Sequence, residues 1–415
     1  MQDDVNNFDI KNSREMPCKK IFSVPAARKR IKGLISGGEN CKIKEKMQTE
    51  KNIMRLFPQL ETDLNIVRRN ASEIKRRCGE SGIKLTPAVK GVNADAEVVR
   101  AILDAGIEQL GTSRLSQIER CNANGIKAGW LLLRIPQLCE CADVVHLAEV
   151  SLESGVDTVT ELEKECVRQG RSHKIIMMLD TGDLREGYWD RARLLDDCAK
   201  IKKTCPHIRI AGIGSNFTDY GATVPTVDKL EELAAMARRM EEILGYPLEY
   251  VSGGATTSYP LVHRGEMPKG INHLRVGEAI ILNHDLPDEW GIDTDYLASP
   301  VLLRAQVVEV YDKPSVPVGE TATDAFDNHP VFTDRGIRRR ALLALGRADV
   351  GDAGKLLPCD GGAEILAATS DHTIIDIGDC EREIRVGDIM EFRLTYENLM
   401  YAALSEDVRK IYKNA

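Results

Sequence analysis

Residues 208–254 read IRIAGIGSNFTDYGATVPTVDKLEELAAMARRMEEILGYPLEYVSGG. Ile208–Gly214 is a short apolar run. A polar turn follows, then Val227–Leu244 carries apolar residues at helical spacing, then a second apolar run begins at Leu248. The same unit recurs on both sides. The runs expected as strands are Pro87–Lys90, Ile107–Leu110, Trp130–Leu133, Ala148–Leu152, Ile175–Asp180, Ile208–Gly214, Leu248–Val251 and His273–Val276. Helical stretches such as Asp63–Cys78, Ala96–Leu103 and Thr158–Gln169 accompany them. Continuous apolar strands alternating with helices predict an α/β fold whose parallel sheet is covered on both faces. Eight such units predict a (β/α)8 TIM barrel, with an open doubly wound sheet as the alternative.

The pattern changes after Leu297. Leu302–Val310, Ala341–Leu345, Thr373–Ile377 and Asp388–Leu394 are strand-like, and no helical period returns until about Asn398. This predicts a mostly β second domain over 297–415, behind a barrel over 51–296. Residues 1–50 hold 11 Lys and Arg against 7 Asp and Glu and lack a sustained period. They are expected to form an extension outside the core, poorly ordered or partly helical, and too acidic at Asp3, Asp4 and Asp9 for a transit peptide.

The 415 residues are 43% hydrophobic and 29% charged, which is globular composition, and the net charge of −8 argues against general nucleic-acid binding. No apolar run reaches the roughly 18 residues of a membrane span. The 11 cysteines are scattered, with only Cys139 and Cys141 closely spaced. With no signal peptide visible, a reduced cytoplasmic setting is expected. The 8 histidines show no helical ligand spacing, so no metal is expected.

In a barrel the working residues lie where strands meet the loops that follow them. Lys90 ends the first run, and a lysine there is a Schiff-base amine, a carboxylate partner or a side chain that snorkels out. Ser252-Gly-Gly254-Ala-Thr256-Thr-Ser258 follows the seventh run and Arg275-Val-Gly277-Glu278 the eighth. Small residues, hydroxyls and free N–H groups at helix starts suit a phosphate, and this pair of strands is the common place for one; ordinary Gly/Ser turns are the competing reading. Gly212-Ile-Gly214 looks like the opening of a dinucleotide fingerprint, but Phe217 occupies the third glycine position. A lysine at the rim and a phosphate cradle across from it suggest pyridoxal 5'-phosphate (PLP), an electron sink for amino-acid chemistry.

Several long stretches support that reading. Met178–Gly187, Pro268–Ala279, Pro314–Glu320, Asp334–Arg340 and Ser370–His372 together resemble the alanine racemase superfamily, the fold-type III PLP enzymes, and within it the bacterial ornithine racemase branch. The resemblance covers the chain from about Leu56 onward. It implies that Lys90 is the PLP lysine and one racemisation base. It implies that Arg275 faces the pyridine nitrogen; a guanidinium keeps its proton, so the ring stays a weaker electron sink and reprotonation is favoured over transamination. It makes Thr256, Gly277, Glu278 and Tyr396 phosphate contacts, beside Ser252 and Gly254 of the same Gly/Ser-rich loop as expected cofactor contacts, places Arg185 near the phenolic oxygen, and puts Asn216 where relatives keep a histidine. Met178 stands where some alanine racemases carry a carbamylated lysine.

One departure matters for the mechanism. The family motif Gly-Tyr-Ala-Asp, whose tyrosine is the second base, reads Gly346-Arg347-Ala348-Asp349. Arginine is a poor base. Arg347 is then a binder of substrate carboxylate or a structural residue, and Asp371, His372 or Tyr220 is the candidate second base. The expected function is racemisation of a small-molecule amino acid, ornithine first, with lysine and alanine open. Asp183, Glu186 and Asp219 are candidate partners for a substrate ammonium. The alternatives are a PLP lyase of the D-threonine aldolase type and a non-catalytic PLP-binding protein. The family also implies a head-to-tail homodimer with shared active sites.

Overall fold

The computed structural model describes residues 56–414, so the expectation for residues 1–50 lies outside the described residues. Strand β1 (Gln59–Asp63) leads into helix α1 (Leu64–Glu80). Asp63 caps α1 by accepting the N–H groups of Asn65 and Ile66. The helix buries Leu64, Val67, Ala71, Ile74 and Cys78, the apolar stripe that its spacing predicts.

The barrel strands are β2 (Lys84–Leu85), β3 (Gln109–Thr112), β4 (Gly129–Leu132), β5 (Val150–Glu153), β6 (His173–Met178), β7 (Ile208–Gly214), β8 (Tyr250–Ser252) and β9 (His273–Leu274). Between and after them run α2 (Ala96–Leu103), α3 (Leu115–Ala123), α4 (Cys141–Leu147), α5 (Val156–Gln169), α6 (Arg191–Thr204), α7 (Val227–Leu244), α8 (Tyr259–His263) and α9 (Glu278–Ile281). All neighbouring strands are parallel, in the order β2-β9-β8-β7-β6-β5-β4-β3. A parallel bridge between Ala88 and Gly111 joins the two ends. The sheet is therefore a closed TIM barrel.

Two cores explain why the strands read as unbroken apolar runs. Ile176 and Met178 point inward with Leu131, Val150, Leu152, Ala211 and Tyr250. Ile175 and Met177 point outward into the layer under the helices. Each alternate residue is buried by a different neighbour. The barrel filling also has a polar layer. His273 Nε2 lies 2.8 Å from Thr86 Oγ1 and its Nδ1 2.8 Å from Ser252 Oγ. Burial, with Arg275 and Lys84 behind it, holds that imidazole down to about 3, so it is neutral in use.

The first strand differs from its sequence reading. The run at Pro87–Lys90 is not the strand. Backbone bonds from Thr86 N to Leu274 O (2.9 Å) and Ala88 N to Val276 O (2.9 Å) carry the extended chain from β2 to Ala88, and residues 90–92 then form a short 3-10 turn. Lys90 thus sits on a turn beyond the strand. Apolar residues alone do not separate the last strand residue from the first loop residue when both are buried.

Outside the barrel, Ser151 Oγ donates to Glu153 Oε1 (2.6 Å) and lies 3.0 Å from His173 Nε2. Glu153 is 1% exposed. Burial pushes its carboxyl up to about 8, and burial holds His173 down to about 4. The native state keeps the Glu153 proton between pH 4.5 and 8, where the unfolded chain has released it. Stability from this group therefore falls as pH rises through that window. Between pH 5 and pH 8, wild type is expected to lose about 2–4 kcal/mol more than Glu153→Gln, an order-of-magnitude figure from the shift. Denaturant midpoints at both pH values check this, and parallel curves for the two proteins would contradict it.

The second sheet holds β10 (Val301–Pro314), β11 (Ile337–Leu343), β12 (Leu357–Pro358), β13 (Glu364–Ala368), β14 (Thr373–Asp376) and β15 (Ile389–Arg393), in the order β12-β15-β10-β11-β14-β13. Helix α10 (Arg347–Val350) follows β11, and α11 (Tyr396–Leu404) and β16 (Arg409–Lys413) end the described chain. Strand β1 pairs antiparallel with β10 and parallel with β16. Residues 59–63 therefore belong to this sheet and not to the barrel span of 51–296. That pairing joins the two ends of the described chain, which no local pattern announces.

Candidate active site

Eight of the ten residues expected to hold the cofactor surround one cavity of about 230 Å³ at the C-terminal rim of the barrel: Lys90, Arg185, Asn216, Thr256, Arg275, Gly277, Glu278 and Tyr396. Phe217, Thr218, Asp219, Thr257 and Asp285 complete much of the wall. Sequence reasoning gave Thr257 no role of its own, weighed Asp219 only as a substrate partner, and passed over Asp285 entirely. The polar loops carry the available signal, since Thr257 lies in the Ser252–Ser258 stretch itself.

Lys90 reaches the cavity from the 90–92 turn. Burial lowers its amine below the ordinary lysine value; Asp219 and Glu186 oppose the shift, and Arg185 and Arg275 add to it. An amine so placed is more readily neutral and nucleophilic. Tyr396, first residue of α11, packs on this turn. A Cβ at Gly91 would stand 2.9 Å from Tyr396 Cε2, so glycine is what lets the ring approach. Burial, with Asp219 and Asp285 nearby, pushes the Tyr396 hydroxyl up to about 12.

Arg275 follows β9 and is 3% exposed. Its Nη2 donates to Ser215 O (2.8 Å) and to Asn216 Oδ1 (2.6 Å), while its buried Nη1 has no partner among the described residues. A Cβ at Gly214 would lie 3.2 Å from that Nη1, so the glycine leaves room for the guanidinium. Burial pulls Arg275 down to about 10, which still leaves it cationic at neutral pH. Asn216 Nδ2 donates to Glu186, and Arg185 pairs with Glu186 and with Asp219 (2.8 Å). Burial raises the Asp219 carboxyl against the pull of Arg185 and Lys90.

Ser252 and Gly254 do not line the cavity. Ser252 is the last inward residue of β8 and its hydroxyl is engaged with His273, within the barrel filling. Gly254 acts through its backbone: φ is +109°, a Cβ would meet Ser258 Oγ at 2.5 Å, and its carbonyl accepts Arg275 N (3.0 Å). Asp183 is also engaged elsewhere, accepting the N–H groups of Asp219, Tyr220 and Thr223 and so fixing the 219–223 loop. Tyr220 is 77% exposed and is not among the residues that line the cavity.

Arg347, Asp371 and His372 lie outside this cavity in the same chain. They form a group of their own, because Arg347 N donates to Thr369 O (2.9 Å) and Ala348 N to Ser370 O (3.0 Å). The Arg347 guanidinium stands 4.2 Å over the Phe326 ring and 3.9 Å from Asp352. A single chain does not bring this group to Lys90.

The donors around the cavity fit a cofactor with a phosphate and a ring nitrogen. Arg275 Nη1 and Thr257 Oγ1 are buried donors without partners among the described residues. The first N–H groups of α9 have no partner within the helix. Gly277 is required, since a Cβ there would stand 2.7 Å from Ala88 O.

Comparison with known proteins accords with this geometry. Residues 62–284 match the family model described as alanine racemase, N-terminal domain. The chain is 38% identical over 358 residues to an ornithine racemase of Acetoanaerobium sticklandii, covering 86% of this chain and 99% of that protein. It is 36% identical over 359 residues to a lysine racemase of Thermotoga maritima, with 86% and 99% covered. Its fold is similar to that of the alanine racemase of Streptomyces lavendulae, with TM-score 0.66, 18% identity, and 87% of this chain and 98% of that chain covered.

Proposed function

The chain belongs to the alanine racemase family and is an amino-acid racemase, and from that premise we propose that it interconverts the L- and D-forms of a basic amino acid, with PLP held at Lys90. One observation carries the reading. The depressed amine of Lys90 opens onto the same cavity as the partnerless donors Arg275 Nη1 and Thr257 Oγ1. Lys90 would hold the aldehyde, Arg275 the ring nitrogen, and Arg185 the phenolic oxygen. Thr256, Thr257, the Tyr396 hydroxyl and the N–H groups of Gly277 and Glu278 would hold the phosphate. PLP supplies, when bound, an electron sink for the substrate α-carbon.

The residues divide the remaining work. Lys90 Nζ, kept readily neutral by burial, takes or returns the α-proton on one face. Arg275 keeps its own proton, because Ser215 O and Asn216 Oδ1 hold the guanidinium in place. That restrains the sink and favours return of the proton over other outcomes. The opposite face needs a second group. In our reading a second copy of the chain supplies it from the Arg347, Asp371 and His372 surface, in a homodimer with shared sites. The free state of all nine described cysteines supports a reducing, cytoplasmic setting. Among the described residues, no helix is long and apolar enough to cross a membrane.

Purified protein incubated with PLP and L-ornithine, L-lysine or L-alanine tests the reading. Chiral chromatography is expected to show the D-isomer, fastest from ornithine or lysine. No D-isomer from any of the three would end it.

A further inference from the structure

Thr218, Thr257, Asp285 and Tyr396 line both the cavity and a neighbouring hollow of about 630 Å³. They form the neck between the two. Asp285 is the one carboxylic acid among them, and burial holds the Tyr396 hydroxyl up at about 12. The three acids that sequence reasoning put forward for a substrate ammonium are engaged: Asp183 by backbone N–H groups, Glu186 by Arg185 and Asn216, and Asp219 by Arg185.

Asp285 is in a different position. Its backbone N–H donates to Glu278 Oε1 (3.1 Å), but among the described residues its carboxylate has no hydrogen bond and no ion pair. The nearby imidazole of His284 is engaged with Asp288 (2.6 Å). Lys355, in the wall of the hollow, is engaged with Glu397 (2.5 Å). Glu289 adds a further negative charge to that wall. Behind the neck, Glu278 is 7% exposed, lines the cavity, and has its Oε2 buried without a partner. Burial raises the Glu278 carboxyl, and Asp285 adds to that shift; burial also raises Asp285, against the pull of His284 and with Glu289 and Asp288 adding to it. On the side of the hollow, the described basic groups, His284 and Lys355, are already engaged, so Asp285 with Glu278 behind it makes a cation-seeking site.

We propose that Asp285, backed by Glu278, is the specificity-determining carboxylate that receives the side-chain ammonium of a basic amino-acid substrate whose α-carbon lies at Lys90. This rests on the racemase reading above and names the group that makes the substrate basic. A neutral side chain at the neck leaves Asp285 unpaired, and the site discriminates against it for that reason.

The test compares L-ornithine with L-norleucine, which has a methyl group in place of the ammonium. The holoenzyme is followed by α-proton exchange in deuterated water. Wild type is expected to favour ornithine strongly in kcat/KM; absence of any preference would defeat the basic-substrate reading itself, whatever Asp285 does. Given that preference, Asp285→Asn is expected to lower the ornithine-to-norleucine ratio at least about thirtyfold, mainly through KM. A ratio within about threefold of wild type would overturn the proposal. Should the asparagine variant fail to fold, Asp285→Glu decides. One added methylene is expected to shift preference toward the shorter 2,4-diaminobutyrate, and an unchanged preference would overturn the proposal equally.

Discussion

Lys90→Ala is expected to lower racemisation at least about a thousandfold, the scale set by loss of a positioned acid–base group that also anchors the cofactor. Among the described residues no other lysine lines the cavity, and the arginines there cannot take its place as a base. The protein should still fold. The amine sits on a turn, and burial already disfavours its charge. Loss of D-isomer formation should be accompanied by loss of the visible absorbance of bound cofactor, with an unchanged circular dichroism spectrum. A variant that kept more than a few per cent of activity would place the chemistry elsewhere.

The second large effect concerns the opposite face of the substrate. Lys90→Ala and Arg347→Ala homodimers are each expected to be nearly inactive, yet subunit exchange between them should restore activity. In a mixed dimer with shared sites, one site carries both lesions and the other carries none. Random exchange makes half of the dimers mixed, so recovery should approach about a quarter of wild type for a two-fold assembly. Recovery no greater than the mean of the parents would mean that each chain completes its own site. The structure motivates this experiment because Arg347, Asp371 and His372 are held beside one another by the 346–348 and 369–370 backbones, away from Lys90 of the same chain.

How far the sequence could be read depended on how local the determining physics is. The barrel was legible because each unit announces itself within about forty residues, as 208–254 does. Strand ends were not, since Pro87, Ala88 and Val89 are as buried as strand residues while the chain already turns toward Lys90. Strand β1 was illegible as part of the second sheet because its partners lie at 301–304 and 409–413. Part of β11 was missed for another reason. Arg338 looks like a loop residue, but in the fold it pairs with the buried Asp376, a partner 38 positions away.

The same distinction applies at the site. That Lys90, Arg275 and Gly277 would face one cavity was legible, because residues just past strand ends and a glycine in a tight turn are local signals. That Ser252 turns into the barrel filling was not legible, because its partner His273 lies on the next strand of the barrel. Asp183 attracted attention as an acid on a suitable loop, yet three backbone N–H groups already occupy it. Asp285 drew none, because an uncommitted carboxylate is recognised only when every neighbour's partner is known.

The proposed chemistry rests on a covalent link between PLP and one lysine. Purified holoenzyme reduced with borohydride, digested and mapped by mass spectrometry tests it directly. The predicted result is a pyridoxyl-modified peptide carrying the added mass at Lys90 and no other major site. Modification at a different lysine, or an unmodified Lys90 in active enzyme, would contradict it.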